Sequence, residues 1–283
     1  MRTLLLAAAS MLAVAAPAYA QDDPAPFDGF YVGGTVGYSS RSNDAGETVL
    51  FDRDLNGSFG DTVVTTTGQN AFAVNATPGG ANGGFCNGRA NTNNLNGGCT
   101  SDRGGIEYSV RAGYDRQFGN IVVGLVGEFG RSEVRDSVTA FSTTPASYVF
   151  TRELDWNAAL RLRAGYAANT TLFYATGGAT YGRIDNSFAT TNTANSFTGR
   201  GDDMSWGWQA GGGVEQKIGR NFSIGLEYLY TRFTQDDYVV RAGAGTAPAT
   251  NPFLLACAGG TDFIRSNDHF DYHGFRFTAA FRF

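Results

Sequence analysis

The two histidines of the chain are its first candidates for catalytic chemistry, because aspartates stand beside them. His269 and His273 lie on either side of Asp271 and close to Asp268. A histidine next to a carboxylate can act as the general base of a hydrolase. Neither a Gly-x-Ser-x-Gly turn nor a His-Glu-x-x-His motif is found in the sequence. We therefore interpret the histidines as exposed polar residues, and predict no enzymatic activity and no cofactor.

An acidic stretch has part of a calcium-loop pattern. In Asp-Arg-Asp-Leu-Asn-Gly, residues 52–57, the first, third and fifth positions are Asp52, Asp54 and Asn56. The twelfth position is Val63 in place of the glutamate that such a loop requires, and the flanking sequence does not read as helix. We expect a solvated loop, with a weak calcium site as the alternative.

The first twenty residues read as a secretory signal peptide. A short basic start, an apolar run and the Ala-Tyr-Ala at 18–20 predict cleavage between Ala20 and Gln21. The apolar run is shorter than the ~20 residues of a membrane-spanning helix. Removal of Arg2 changes the formal charge from 21 − 26 = −5 to 20 − 26 = −6. This mild acidity argues against nucleic acid as a partner, since such proteins present a basic face.

Three cysteines stand in stretches that read as loops. A secreted chain enters an oxidising compartment, which favours a disulfide between Cys86 and Cys99. A bridge from Cys257 to either of them is the alternative. The spacing of a Cys/His metal site is absent from the sequence.

The remaining chain reads as β-strands. It has 39 Gly, 22 Phe and 13 Tyr but only 7 Pro and 3 Met, a composition that favours strands over helices. In the stretch at 275–283, Phe-Arg-Phe-Thr-Ala-Ala-Phe-Arg-Phe, aromatic residues alternate with arginines, which is the period of a strand. Eight segments show such alternation, although the facing of the fifth is ambiguous: 30–38, 106–115, 121–129, 154–166, 172–182, 206–215, 222–230 and 275–283.

The connections between these segments alternate in length. Tight turns are predicted at 116–120, 167–170 and 217–221. Long polar loops are predicted at 41–102, 132–150, 184–203 and 233–268. Because consecutive strands are antiparallel, connections that alternate between short and long place every long loop at the same end of the strands. We therefore predict an all-β fold, an eight-stranded antiparallel transmembrane β-barrel with short periplasmic turns and long external loops, over residues 21–283.

The two faces of the strands predict their environments. A secreted sandwich or lipocalin-like barrel would bury the arginine face and expose the aromatic one to water, which is unfavourable. In a membrane barrel the aromatic face contacts lipid. Aromatic residues near the segment ends are expected to form interfacial girdles: Tyr31, Tyr38, Tyr114, Trp156, Tyr166, Trp206, Trp208, Phe222 and Phe283.

The inward face carries many charges, and Glu153 and Asp155 are expected among them. Eight strands leave a bore that side chains can fill. A set of arginines and glutamates lies at similar depth and is predicted to form a gate or a plug: Arg111, Glu128, Arg161, Arg163, Glu227 and Arg276. Forked, charge-assisted pairs would hold a plug shut, and a narrow ion path is the alternative.

Four stretches resemble a known family: 27–38, 172–182, 207–230 and 275–283. They are similar to small OmpA-type outer-membrane β-barrels, in particular the immunogenic, porin-like proteins of alphaproteobacterial type. The resemblance implies an outer-membrane location in a Gram-negative bacterium. It also implies that Phe275, Phe277, Phe281 and Phe283 are the signal read by the outer-membrane assembly machinery. A wall-anchoring role is not expected.

The combined prediction is a surface protein with a structural or interaction role. Its expected partners are outer-membrane lipid, lipopolysaccharide, the assembly machinery and an unidentified molecule bound by the loops. A narrow porin or small-solute channel is the first alternative, and an outer-membrane enzyme the second.

Overall fold

The computed structural model describes residues 25–41, 46–74, 83–102, 104–236 and 238–283. The predicted signal peptide lies outside the described residues. Within them, no helix is long and apolar enough to cross a membrane. The strands are β1 (Gly29–Arg41), β2 (Val49–Asp52), β3 (Gly84–Asn87), β4 (Arg89–Ala90), β5 (Cys99–Thr100), β6 (Gly105–Phe118), β7 (Ile121–Ser132), β8 (Arg135–Ser142), β9 (Ala146–Ala168), β10 (Thr171–Thr190), β11 (Ser196–Arg200), β12 (Met204–Ile218), β13 (Phe222–Thr234), β14 (Val239–Gly243), β15 (Thr261–Arg265) and β16 (His269–Arg282). Two single-turn 3₁₀ helices cover Leu95–Gly97 and Pro252–Leu254.

Eight of the described strands close into an antiparallel barrel, as predicted. The order around the barrel is β1-β6-β7-β9-β10-β12-β13-β16, and β16 pairs with β1. The three predicted tight turns lie at one end. Each contains a residue with positive φ: Gly119 at 60°, Asn169 at 55° and Gly219 at 70°. Only glycine and asparagine adopt this backbone readily, which is why these residues suit the turns.

The alternation of buried and exposed residues confirms the predicted facing. Along β16, Phe275 and Phe277 are each 61% exposed, whereas Arg276 and Arg282 are 6% and 2% exposed. The fifth predicted segment, now β10, is resolved by the same criterion. Its Tyr174 is buried in the bore and its Phe173 lies on the outer surface.

A β-bulge reverses the facing of upper β9. Opposite β10, Trp156 pairs with Arg183, but Leu154 pairs with Ile184, so Asp155 has no partner of its own. One extra residue turns every side chain beyond it, toward the external end of β9, to the other face. The predicted inward facing of Glu153 and Asp155 is therefore wrong. Leu154 is 1% exposed, while the side chain of Glu153 is 42% exposed.

Tyr31 is not part of the aromatic girdle, contrary to the prediction. It stands between the outward Phe30 and Val32 and so faces the bore, where it is 1% exposed. Its ring occupies space left by Gly113, because a Cβ there would lie 2.4 Å from the ring. Tyr31 is therefore a filling residue of the interior.

The long loops form a second folded body, here called the cap. Its first sheet consists of β3, β8 and the outer ends of β9 and β10. Its second sheet has the order β11-β14-β15-β2. Residues of both sheets share one apolar cluster, so the sheets pack face to face as a β-sandwich.

The core of the cap is mainly aromatic. The Tyr148 ring of the first sheet lies 5.7 Å from the Phe263 ring of the second. Burial of one such side chain is worth about 1.5–3 kcal/mol. Buried residues of this core are Val49, Phe51, Val63, Ala71, Phe72, Val138, Ala140, Ala146, Tyr148, Phe150, Val240, Ala242, Phe253 and Phe263. Hence the segments that the sequence presents as polar loops have a hydrophobic core of their own.

Candidate functional site

Five of the six predicted interior charges meet at one depth of the barrel, here called the middle layer. They are Arg111 of β6, Glu128 of β7, Arg161 of β9, Glu227 of β13 and Arg276 of β16. All five are at most 7% exposed. Three guanidiniums therefore share two carboxylates in the centre of the bore.

The contacts in the middle layer form a closed network. Arg276 donates from Nη1 to Glu128 Oε1 over 2.7 Å and from Nε to Glu227 Oε1 over 2.8 Å. Arg161 Nη2 lies 2.8 Å from Glu128 Oε2, and Arg111 Nη1 lies 3.2 Å from Glu227 Oε2. Forked charge-assisted bonds of this kind are strong and directional. The network ties five strands together across the barrel.

Arg163 belongs to a different level, here called the lower layer. It forms ion pairs with Glu215 and, at 3.6 Å, with Asp115. Arg282 bonds the same two carboxylates, at 2.8 Å to Asp115 and 3.0 Å to Glu215. Arg163 follows Arg161 by two residues toward the periplasmic turn, which places it one level lower on the same face.

The segment before β1, which includes Pro26 and Phe27, lies on the periplasmic side of the lower layer. The carbonyl of Phe27 accepts a bond of 2.9 Å from Arg282, and its amide donates to Gln117 over 3.0 Å. Lys217 donates to the carbonyl of Pro26 over 2.5 Å. Phe27 is completely buried. This contact was not predicted, because the segment has no strand period.

Two more levels lie on the external side of the middle layer. The first is an apolar layer of Val134, Leu154, Ile184, Phe233, Phe270 and Tyr272. The second, here called the upper ion cluster, surrounds Asp136. Arg152 and Arg265 donate to Asp136 over 2.6 Å and 2.5 Å, and Arg41 also pairs with it. Arg265 is further held by Glu47 at 2.7 Å. Most of these residues come from predicted loops, so the sequence did not reveal the cluster.

The outer surface has the layering of a membrane protein. At the external end of the lipid-facing band, the rings of Trp156, Tyr181 and Trp206 lie 6.3 Å and 4.7 Å apart in succession. Beyond them come exposed ion pairs, such as Arg135 with Glu153 at 2.6 Å. The four phenylalanines assigned to assembly lie on the lipid-facing surface of β16 and just after it: Phe275, Phe277, Phe281 and Phe283.

The predicted disulfide joins Cys86 of β3 to Cys99 of β5, and Cys257 is a free thiol. His273 lies among aromatic rings on the outer surface, with its Nδ1 2.7 Å from the Tyr228 hydroxyl. His269 Nε2 lies 3.3 Å from Asp268. The histidines thus lie on the outer surface at the external end of β16.

The acidic loop has a different arrangement from the calcium pattern. Carboxylates of Asp52, Asp54 and Asp61 come within 4.8 Å of one another. The Asp52 carboxylate already accepts the backbone N–H groups of Asn56 and Gly57 at 3.1 Å and 2.8 Å. Asn56 directs its own side-chain oxygen to the N–H of Ser58. The side chains of Asp52 and Asn56 thus accept hydrogen bonds from backbone N–H groups of their own loop.

These features define a transmembrane β-barrel of the bacterial outer membrane, with lipid-facing aromatics and a polar interior. The chain belongs to the family described as "Outer membrane protein beta-barrel domain", which it matches over residues 6–283. The family and the outer-membrane location implied by the sequence resemblance are thereby confirmed.

Two curated relatives are named as outer-membrane proteins. The "31 kDa outer-membrane immunogenic protein" of Brucella melitensis is 34% identical over 130 residues, 45% of this chain and 54% of the relative. The match thus spans about half the length of that relative. The "22 kDa outer membrane protein" of Rhizobium leguminosarum is 31% identical over 169 residues, 59% of this chain and 72% of the relative. Among solved structures, OprG from Pseudomonas aeruginosa has a TM-score of 0.47 and 13% identity, over 90% of this chain and 97% of that one.

Proposed function

We propose that the protein is a closed, non-catalytic surface barrel that holds its cap outside the cell as an interaction surface. The observation that carries this proposal is the filling of the bore at successive levels. From the periplasmic end these are Phe27, the lower layer, the middle layer, the apolar layer and the upper ion cluster. Side chains that fill the bore at each of these levels favour a barrel without the continuous file of water that ions need to pass.

The energetics of the ionic layers favour a plug over a gate. Removing one partner from a buried ion pair costs about 3–5 kcal/mol, because the other charge stays buried and uncompensated. In the middle layer each glutamate is shared by at least two arginines, so opening a path would break several pairs at once. The apolar layer above adds a section that a hydrated ion would enter unfavourably.

The interaction role rests on the cap. Binding residues are often carried by loops that a rigid scaffold positions, and here the scaffold is a barrel with a packed sandwich on top. The name of the Brucella relative describes that protein as immunogenic, which supports an accessible external part for this chain as well. Lipid and lipopolysaccharide would contact the outward aromatic band. The assembly machinery would read Phe275, Phe277, Phe281 and Phe283.

Single-channel conductance of the refolded protein in a planar bilayer tests the proposal. We expect no steady conductance from the unmodified protein. An Arg161→Ala, Arg276→Ala double variant should leak, because it removes two of the three guanidiniums from the middle layer. The matched control is Arg131→Ala, which removes an exposed guanidinium on the outer surface and should remain silent.

Steady conductance of the unmodified protein would reject the plug and favour the alternative, a narrow channel lined by the interior charges. The unmodified protein decides this question by itself, whether or not the double variant folds.

A further inference from the structure

A cavity of about 250 Å³ opens at the external end of the cap. It lies between the turn at 142–146 that joins β8 to β9, the turn after β10 at 191–194, and the 3₁₀ helix Pro252–Leu254. From this cavity β9 runs for 23 residues to the periplasmic turn, about 75 Å of strand at ~3.3 Å per residue. Only ~9–11 of these residues are needed to cross the bilayer. The cavity, here called the apical pocket, is therefore far outside the membrane.

The lining of the apical pocket is uncharged and combines apolar surface with neutral polar groups. The rings of Tyr148 and Phe253 form its base and are only 2% and 4% exposed, while Thr144, Thr191, Asn192 and Thr193 line it with hydroxyl and amide groups. Within the described residues, no carboxylate, ammonium, guanidinium or imidazole lines it. Burial raises the pKa of the Tyr148 phenol, which keeps it neutral. A phosphate, a sulfate, a metal ion or a charged peptide side chain would find no counter-charge here.

The amide groups of the pocket are held in place before any ligand arrives. Asn192 Nδ2 donates to the Tyr148 hydroxyl and to Asn195 Oδ1, each over 3.0 Å. Asn251 donates to the same Asn195 oxygen over 3.1 Å and accepts the N–H of Phe253 over 3.0 Å. Both N–H groups of the Asn192 amide are used in these bonds, and its oxygen accepts the N–H groups of Ala194 and Asn195. The amides therefore shape the wall of the pocket, and a wall fixed in this way loses little entropy when a ligand binds.

Two hydroxyl groups remain available at the rim. Thr144 and Thr193 are exposed, and among the described residues their hydroxyls have no hydrogen-bond partner. Each hydroxyl can both donate and accept. The pocket thus offers these two hydroxyls beside apolar surface, in a volume below the ~300–1,000 Å³ of drug-sized ligand sites.

We propose that the apical pocket binds a neutral saccharide, one or two sugar rings of a surface glycan. Sugar hydroxyls match groups that donate and accept at once, and the C–H face of a sugar ring packs on apolar surface, which Pro145 and Pro252 supply here. The proposal rests on the proposed function, in which the cap is the interaction surface, and it names the class of ligand.

The test uses the full refolded barrel in lipopolysaccharide-free nanodiscs and saturation-transfer NMR with neutral oligosaccharides of glucose, mannose, galactose and N-acetylglucosamine. We expect saturable binding of at least one probe. Thr144→Val and Thr193→Val together should weaken it about tenfold, since each removes one neutral hydrogen bond. The matched control is Thr198→Val on β11, an exposed threonine outside the pocket lining, which should leave binding unchanged.

Three outcomes would overturn the proposal: no saturable binding of any neutral probe by folded protein, equal binding by the double variant, or binding of only sulfated saccharides or peptides. None of them bears on the closed bore, because conductance does not depend on the apical pocket. A silent barrel without saccharide binding would reject this inference alone, whereas a conducting barrel that binds sugar would reject the plug alone.

Discussion

At the scale of single residues, arginine explains most of the interior. Its planar guanidinium carries several donors and can bond two carboxylates at once. Arg276 does so in the middle layer and Arg282 in the lower layer. Lysine is a point charge and would not reproduce this fork. The side chains that cross-link the strands are therefore mostly arginines.

The middle layer predicts a large loss of stability when a carboxylate is removed. Glu227→Gln should lower the free energy of unfolding by about 3–5 kcal/mol, because Arg111 and Arg276 lose a charged partner while buried. Urea titration of the refolded protein measures this change. Glu133→Gln, at an exposed carboxylate, is the matched control and should change it by less than about 0.5 kcal/mol. Equal effects of the two substitutions would show that the layer contributes little.

Asp262 predicts an acid-sensitive cap. Burial acts to raise the pKa of this carboxyl, but hydrogen bonds from Arg241 and Arg200, both 2.5 Å, outweigh it and hold the pKa below its ordinary value. The contribution to stability is then present above the unfolded pKa of ~3.9 and is lost as the pH falls below it.

Hydrogen-exchange protection of β14 and β15 measures this loss, after correction for intrinsic rates. Protection should fall as the pH drops below about 4. Asp262→Asn should reduce protection already at neutral pH and remove this component of the acid response. Asp236→Asn, at an exposed aspartate, should behave like the unmodified protein. An acid response that persists unchanged in Asp262→Asn would assign it to other groups.

At the scale of elements, short strands of the cap depend on what they are attached to. β3 has four residues and pairs with β8 at the end of the first sheet. The disulfide ties it to β5, 13 residues further along the chain. A strand this short has little stability by itself, so the disulfide and the pairing with β8 act together.

Opening the disulfide should loosen this segment. Removing a cross-link that closes a loop of about 15 residues costs about 3 kcal/mol. Cys86→Ser with Cys99→Ser should therefore become sensitive to protease within residues 88–98, while the barrel strands stay intact on a gel. The control is Cys257→Ser, which removes the free thiol and should be cut no faster than the unmodified protein. Cleavage at the same rate in both variants would mean that β8 alone holds the segment.

At the scale of the whole molecule, two solvents act on one chain. Apolar side chains of the barrel face outward because the bilayer surrounds them, whereas those of the cap face inward because water does. Along β9, outward Leu160 and Leu162 are 56% and 69% exposed, while Phe150 beyond the bulge is 1% exposed. The bulge at Asp155 lies between these two regimes. Barrel and cap are thus expected to unfold as separate units.

This separation predicts that a cap mutation spares the barrel. Phe263 is fully buried between the two sheets of the cap, and Phe263→Ala should cost about 3–5 kcal/mol there. Protease added from outside should then cut the cap, while the barrel still migrates as a folded species on a gel without heating. Phe277→Ala, on the lipid-facing surface, should leave protease resistance of the cap unchanged. Loss of both bodies together in Phe263→Ala would contradict the separation.

The sequence by itself determined the barrel, its topology and which side chains face lipid or the bore. A spanning strand has a period of two, so the type of each residue indicates the side of the sheet on which it lies. It also predicted the middle layer, since residues at equal distance from the tight turns of a regular barrel lie at equal depth. The disulfide followed from the secretory context and the short spacing of the two cysteines.

Only the tertiary structure decided the rest. One unpaired residue, Asp155, reverses the facing of upper β9, and the sequence has no local mark for it. The cap depends on partners far apart in the chain, such as Glu47 and Arg265, which are 218 residues apart. Its strands are short, and their apolar residues are dispersed among polar ones. Their order comes from packing between segments rather than from a period within one segment, so it could be seen only in the folded chain.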